Sequence, residues 1–394
     1  MWTISLLGLL ACSRTVLSTL LPQEPLLESL SSSKHDIFAF HKNLTEIESI
    51  TYNEQKAGEW LASSLKDHGY TVEKQWVDKK EGRFNIYAYP GDIRETEILL
   101  SSHYDTVPPF YPYRRSNSTI QGRGSVDDKA SIAAQFAAVN SLIAHKQISA
   151  DDVALLFVVG EEVGGDGMRK ANDLDLKPKT IIFGEPTEGK LVSGHKGNLG
   201  LKIQAKGKAA HSGYPWLGRS ANEVLTRALA ALMELGENLP KSEKYGVTTI
   251  NLGRMEGGVA ANVIASSASA DIAIRIAAGT PEQIKSNITQ AVYLAVDTFL
   301  DDGTKPEDII ELNFTKGYGP IDIDHDIPGM KSFTVNYGTD IPNLDKTVEG
   351  QKRYLYGPGS ILVAHSDHEA LEEDELNDAV KGYKKIILHV LGKD

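Results

Sequence analysis

Only one cysteine, Cys12, stands in 394 residues. A single thiol builds neither a disulfide framework nor a thiolate-held zinc finger. Basic clusters are also missing. No run of Lys or Arg exceeds a pair, and 41 basic against 53 acidic residues leave a formal charge of −12. A nucleic-acid binder needs a basic face, and an anionic membrane surface repels a chain of this sign. The N-terminal stretch MWTISLLGLLACSRTVLS holds an apolar run of only about ten residues, where a bilayer span needs ~20. Followed by small residues, that run reads as a signal peptide over residues 1–18. Cleavage after Ser18 or Ser13 would leave a cysteine-free mature chain. A buried first helix is the competing reading, because no side-chain charge precedes the run. Four Asn-x-Ser/Thr triplets, at Asn43, Asn117, Asn287 and Asn313, are glycosylation acceptors on a secretory route, although such triplets also arise by chance. The expectation is a secreted, extracellular protein.

What is present is a globular balance, 41% hydrophobic and 24% charged, in a chain too long for one ordinary core. A first helix is expected within 19–50. Residues 53–68 space Ala57, Leu61 and Leu65 helically and stop at Gly69. YTVEKQWV and FNIYAYPG alternate as strands do. EILLSSHYD, VALLFVVGEE and TIIFGEP are short apolar runs that end in ionisable residues, and the Ala-rich segment DKASIAAQFAAVNSLIAHK after the loop at 108–124 is helical. Buried strands that each finish on His, Asp or Glu describe an α/β sheet with a site along one edge. The composition then changes. From LGLKIQAKG to IIELNFTK the order is βαββαβ, the split pattern of a ferredoxin-like α+β domain. The expected organisation is a mixed sheet flanked by helices over 19–192 and 305–394, with a small domain inserted at 193–304. A last helix, DAVKGYKKIILHVLG, closes the chain.

The ionisable strand-end residues are His103 and Asp105 in SSHYDTVPP, Asp127 in GRGSVDDK, Glu161 and Glu162 in VVGEEVGG, Glu185 in FGEPTEG and His365 in GSILVAHSDHE. So many acids in one cleft are electrostatically costly unless cations neutralise them. Two imidazoles and three carboxylates hold two divalent ions if one carboxylate bridges. Nitrogen and oxygen donors without thiolate suit zinc, and cobalt or manganese also fit the set. Alone, His103 reads as a hydrogen-bonded core histidine and Glu161–Glu162 as a solvated pair. Their place at the ends of apolar strands favours a site.

HYDTVPP, GRGSVDDK, GEE and GEPT, in this order and with the late His365, resemble the co-catalytic zinc peptidase family of glutamate carboxypeptidase, acetylornithine deacetylase, succinyl-diaminopimelate desuccinylase and aminoacylase. The resemblance covers residues 50–394. It implies a zinc-peptidase-like catalytic domain with an inserted lid that also serves dimerisation, and two zinc ions per subunit. His103, Asp127 and Glu185 match the ligands of one zinc. Asp127 is the bridge, its following peptide bond is usually cis in this family, and Glu162 and His365 complete the other site. His368 is an alternative to His365, but the family pattern His-x-x-x-Glu fits His365 and Glu369. Asp105 matches the residue that holds the first histidine, and Asp128 receives no ligand role. Glu161 matches the general base that takes a proton from a zinc-activated water and passes it to the leaving amine. His211, in GKAAHSGYP, resembles the histidine that supports the carbonyl oxygen, in dimers often across the subunit boundary. Arg275 and Asn262 match substrate-holding positions, with Gly357 and Gly359 as further amide donors to a substrate carboxylate. Arg275 has a bland alternative, an ion pair with Asp271.

Two departures stand out: Ala130 replaces a common Gly, and Glu185 stands where some peptidase members carry Asp, a choice that leans towards deacylases. The implied activity is a secreted di-zinc carboxypeptidase or dipeptidase. An N-acyl amino acid amidohydrolase is the alternative, and a non-catalytic binding protein on the same fold is a third reading that the intact Glu161 speaks against. Expected partners are a peptide or N-acyl amino acid, with no nucleic acid, no membrane, and a homodimer through the inserted domain.

Overall fold

A computed structural model describes residues 36–393. The signal segment expected over 1–18, with Cys12, lies outside the described residues. The helix expected within 19–50 is seen as α1, Ile37–Thr45. The next, α2 (Gln55–Asp67), buries Ala57, Leu61 and Leu65 on one stripe. It ends before Gly69, whose φ of +88° suits a residue without a Cβ. Strands β1 (Thr71–Asp78) and β2 (Arg83–Tyr89) pair antiparallel, and β3 (Ile98–His103) is buried along its whole length. A small hairpin follows, β4 (Arg114–Ser116) and β5 (Thr119–Gln121), within what the sequence read as loop. Helix α3 (Lys129–Ala144) is buried on most sides because its Ala-rich surface packs against β3 on one side and helices on the other. Then come β6 (Val153–Val158), the short helix α4 (Asp166–Ala171), β7 (Thr180–Phe183) and β8 (Leu191–His195).

The inserted unit opens with β9 (Gly197–Lys206), whose alternating burial gives it one core face and one wet face. Helix α5 (Ala221–Gly236) starts at Ser220, whose hydroxyl accepts the Glu223 N–H. After the two-residue strands β10 (Lys241–Ser242) and β11 (Gly246–Val247) come β12 (Thr249–Gly257) and β13 (Ser267–Ile276). Helix α6 (Pro281–Val296) is capped by Thr280 with Pro at its first position, and the short α7 (Pro306–Ile309) leads into β14 (Ile310–Phe314). The sheet runs β12-β13-β9-β14, all antiparallel, and shares one apolar core with α5 and α6. Ferredoxin-like order is thus present. One expected edge is corrected: β14 lies beyond residue 304 but pairs with β9, so the inserted sheet extends to Phe314. An Asn198–Tyr318 bridge brings the two connecting segments side by side.

The chain returns through β15 (Ile321–Asp322) and β16 (Ser332–Val335), which flank β8, then β17 (Lys352–Leu355), β18 (Ala370–Glu372) and α8 (Glu373–Val390). The main sheet has the order β1-β2-β6-β3-β7-β17. β3 runs parallel to both β6 and β7, so the carboxyl ends of these buried strands open on the same edge. Ligand sites of open α/β sheets form at such edges. No helix among the described residues is long and apolar enough to cross a membrane.

Candidate metal centre

His103 is the last residue of β3 and is 2% exposed. Its Nδ1 lies 3.0 Å from the carbonyl of Asp105 and 3.5 Å from Oδ1 of the same residue. That nitrogen therefore carries the proton, and Nε2 is left as the ligand nitrogen. Asp105 does more than the sequence suggested. Its carboxylate accepts the N–H groups of Glu161 (3.2 Å) and Glu162 (3.4 Å) and the hydroxyl of Thr51 (2.8 Å). One buried acid thus ties the end of β3 to the turn that follows β6.

That turn, Glu161–Val163, is framed by Gly160 at φ 76° and Gly164 at φ 118°. A Cβ on Gly160 would fall 1.8 Å from Oδ1 of Asp166, so glycine is required there. The chain can thereby reverse at once and send the adjacent Glu161 and Glu162 different ways. Glu162 Oε2 lies 3.0 Å from His365 Nε2, whereas its Oε1 is buried without a hydrogen-bond partner. Asp127 is the meeting point: Oδ1 is 3.0 Å from His103 Nε2 and Oδ2 is 3.2 Å from His365 Nε2. Its bond to Asp128 is cis. One ligand atom from each of His103, Asp127 and Glu162 falls within 4.8 Å of the others. Glu185, following β7, is 5% exposed and lines the same cleft as His103 and Glu161, with Ser101, Phe183 and Asp340.

The charges confirm how unbalanced this cluster is without cations. Burial, together with Asp340, Glu162 and Asp127, pushes Glu161 well above the usual carboxylate range, against the opposing pull of His103. Burial and the charges of Glu161 and Asp127 do the same to Glu185. Asp127 and Glu162 hold His365 protonated, pushing it up to about 10, and Asp105 and Asp127 hold His103 well above its ordinary value although burial opposes them. Asp127 itself is lowered by the two imidazoles despite its burial. The donor set of imidazole nitrogens, carboxylates and one orphaned buried carboxylate oxygen fits zinc.

His368, the sequence's alternative ligand, is exposed and pairs with Asp367 instead. Asp128 is buried behind the cluster, its carboxyl raised to about 7 by burial. The substrate-side expectations divide. Arg275 makes no ion pair with Asp271 among the described residues. Its Nη1 and the Tyr318 hydroxyl both approach Gly338, 3.4 and 2.4 Å from where a Cβ would stand. The Gly357 N–H is taken by Thr187 Oγ1 at 2.9 Å, which corrects its expected role as a free donor; Gly359 is buried, at φ 71°. His211 and Asn262 sit together in the inserted unit, where the Ser212 N–H donates to the Asn262 carbonyl, and His211 is exposed. Residues the sequence reading missed are Thr339 and Asp340, which line the cleft, and Tyr318, which feels the charges of Glu161, Asp340 and Glu185. Asp340 lies five residues beyond the end of β16, on irregular backbone that no periodicity marks.

A twisted α/β sheet with buried imidazoles and carboxylates converging at its open edge, and an α+β lid inserted beside it, defines a metal-dependent hydrolase. Residues 193–295 match the peptidase dimerisation domain, and residues 85–178, which carry His103, Asp127, Glu161 and Glu162, match peptidase family M28. A probable carboxypeptidase of Aspergillus terreus is 49% identical over 382 residues, covering 90% of this chain and 86% of that protein. A tripeptidase from Staphylococcus aureus has a similar fold, with a TM-score of 0.73 at 22% identity over 91% of this chain and 98% of that one. An M20 family metallo-carboxypeptidase from Sulfolobus solfataricus gives 0.69 at 17% identity, covering 89% and 98%. The chain belongs to the M20 family of metallopeptidases.

Proposed function

We propose that this protein is a secreted di-zinc carboxypeptidase or dipeptidase that cleaves the peptide bond next to a free C-terminal carboxylate. The observation that carries the reading is the His103–Asp127–Glu162 cluster with its orphaned Glu162 oxygen, beside Glu161, which lines the same cleft as His103 and makes no ion pair among the described residues. His103, Asp127 and Glu185 would hold one zinc, and Asp127, Glu162 and His365 the other. When bound, the metals supply Lewis-acid polarisation and make a water acidic enough to ionise near neutral pH.

The chain's own residues do the rest. Glu161, in the same cleft but free of imidazole contacts, accepts the nucleophile's proton and returns it to the leaving amine. Asp105 keeps His103 in the ligand tautomer and fixes the backbone from which Glu161 projects. Arg275 is half-buried and unpaired among the described residues, and it reads the substrate's carboxylate as a bidentate partner beside the Tyr318 hydroxyl. His211 and Asn262 act from the inserted unit on the carbonyl oxygen and the substrate backbone.

The domain assignment that follows is a catalytic part formed by the segments before 196 and after 320, with the lid between. Strand β12 is exposed along nearly all its length and has one unpaired edge among the described residues, which suits pairing with a second copy. Secretion through the 1–18 signal agrees with the exposed acceptors Asn43, Asn117 and Asn313; Asn287 is half-buried on α6. The test is a panel of dipeptides, their C-terminal amides and N-acetyl amino acids offered to the zinc-loaded protein. Cleavage confined to substrates with a free peptide carboxylate supports the reading. Preference for N-acetyl amino acids, or turnover of amides at equal rate, overturns it.

A further inference from the structure

Two residues given no role in binding or proton transfer above hold the loops of the metal cluster together. Arg123 and Glu369 are 246 positions apart and almost wholly buried, 2% and 3% exposed. Arg123 Nη1 lies 2.6 Å from Glu369 Oε2. The other carboxylate oxygen, Oε1, accepts the backbone N–H of Val126 at 2.9 Å and that of Asp127 at 3.2 Å. Arg123 Nη2 donates to the carbonyl of His365 at 3.3 Å, and its Nε donates to the carbonyl of Pro109 at 3.3 Å. The guanidinium also faces the Tyr111 ring at 5.3 Å. A single ion pair therefore grips the backbone of Asp127 through the acid and that of His365 through the base.

We propose that Arg123 and Glu369 are positioning residues for one half of the metal centre. They fix Asp127 against His365, and so set the affinity for the cation these two share with Glu162. This rests on the metal reading above. His365 needs outside support: its side chain is 51% exposed and its backbone has a φ of 63°, a region uncommon for a residue with a side chain. Packing alone does not hold such a loop. A buried ion pair adds little net stability, because desolvation offsets its attraction, so stability is a weak reason to bury this one. A planar guanidinium with several fixed donors is suited to locking geometry. The other half of the centre is held differently. His103 ends a buried central strand and is anchored by Asp105, and Glu185 follows β7.

The test is zinc titration by competition with a chromophoric chelator, resolving both binding events, for the wild type, Glu369→Gln and Arg123→Lys. Unfolding of the metal-free proteins is followed in parallel. Glutamine brings one acceptor oxygen, which can serve Arg123 or the two amides but not both, and lysine replaces the three-way fork with one ammonium. In both variants the binding event that uses His365 should weaken by about 10–100-fold, the usual effect of losing an outer partner of a ligand, and the other by less, because Asp127 serves both ions. The absorption of the cobalt-substituted protein should change mainly for the ion that His365 binds. Two unchanged affinities overturn the proposal. So do two affinities that fall together in step with metal-free stability, which mark a merely structural pair. If Glu369→Gln does not fold, Arg123→Lys decides by the same criteria. Failure of the wild type to bind zinc would overturn the metal reading itself, and with it this inference.

Discussion

Glu161 and Asp127 are given different roles in one site, and their variants should separate accordingly. Glu161→Gln is expected to keep its zinc while turnover falls by about 10²–10⁴-fold, the scale of a lost general base. Asp127→Ala should lose metal, and metal analysis beside kcat distinguishes the two; equal metal loss in both would contradict the division of roles. Arg275→Met should raise KM for peptides with a free carboxylate by about 10–100-fold, since a hydrogen bond to a charged group is worth ~1.5–3 kcal/mol, and leave C-terminal amides unaffected. His195, which is not one of the proposed ligands, gives a pH test. Its Nδ1–H donates to the Lys196 carbonyl at 2.7 Å, Nε2 faces the Thr339 hydroxyl at 3.1 Å, and burial lowers it from 6.5 to about 4. The folded state refuses a proton that the unfolded chain accepts. The stabilising contribution is therefore complete above pH 6.5 and is lost as pH falls towards 4, by about 3 kcal/mol in all. Urea unfolding of the wild type against His195→Gln should show that difference shrinking over this window. At this scale the sequence spoke clearly wherever an acid or imidazole ended a buried apolar strand, as with His103, Glu162 and Glu185. It was silent for Tyr318, which sits in a connecting segment, and for Arg123, whose use depends on a partner far along the chain.

Periodicity located the long elements because burial on one face leaves a repeat in the side chains. α2, α5, α6 and β9 all show it, β9 as strict alternation. The hairpin β4–β5 escaped because its strands have three residues each, β4 is fully exposed and β5 buries a single apolar residue, Ile120, too little for a repeat to show. β14 was read as the last strand of the βαββαβ order although the edge of the insertion was drawn at 304, and its pairing with β9 puts it in the inserted sheet. The caps are informative at this scale too. Ser220→Ala should lower stability by ~1 kcal/mol, because the Glu223 N–H at the start of α5 loses its acceptor. Unfolding in urea measures this, and no change in metal content should accompany it.

For the molecule as a whole, the order βαββαβ inside a sheet-and-helix frame was enough to predict an inserted domain, because each half must bury its own apolar face. The path by which the frame closes was not legible: β17 joins the main sheet beside β7 only after the insertion, and no local pattern encodes that neighbour. Leu252 and Met255, 36% and 50% exposed on β12, belong to the face suited to a second copy. Met255→Glu should shift a dimer towards monomer in analytical ultracentrifugation without altering zinc content. The proposed ligand positions also straddle the insertion: His103, Asp127, Glu162 and Glu185 precede it and His365 follows it. During synthesis, then, the cleft cannot be completed until residue 365 has cleared the ribosome, long after the other donors are in place. A polypeptide cut short before residue 365 would therefore lack one of the proposed donors however well the rest of it folded.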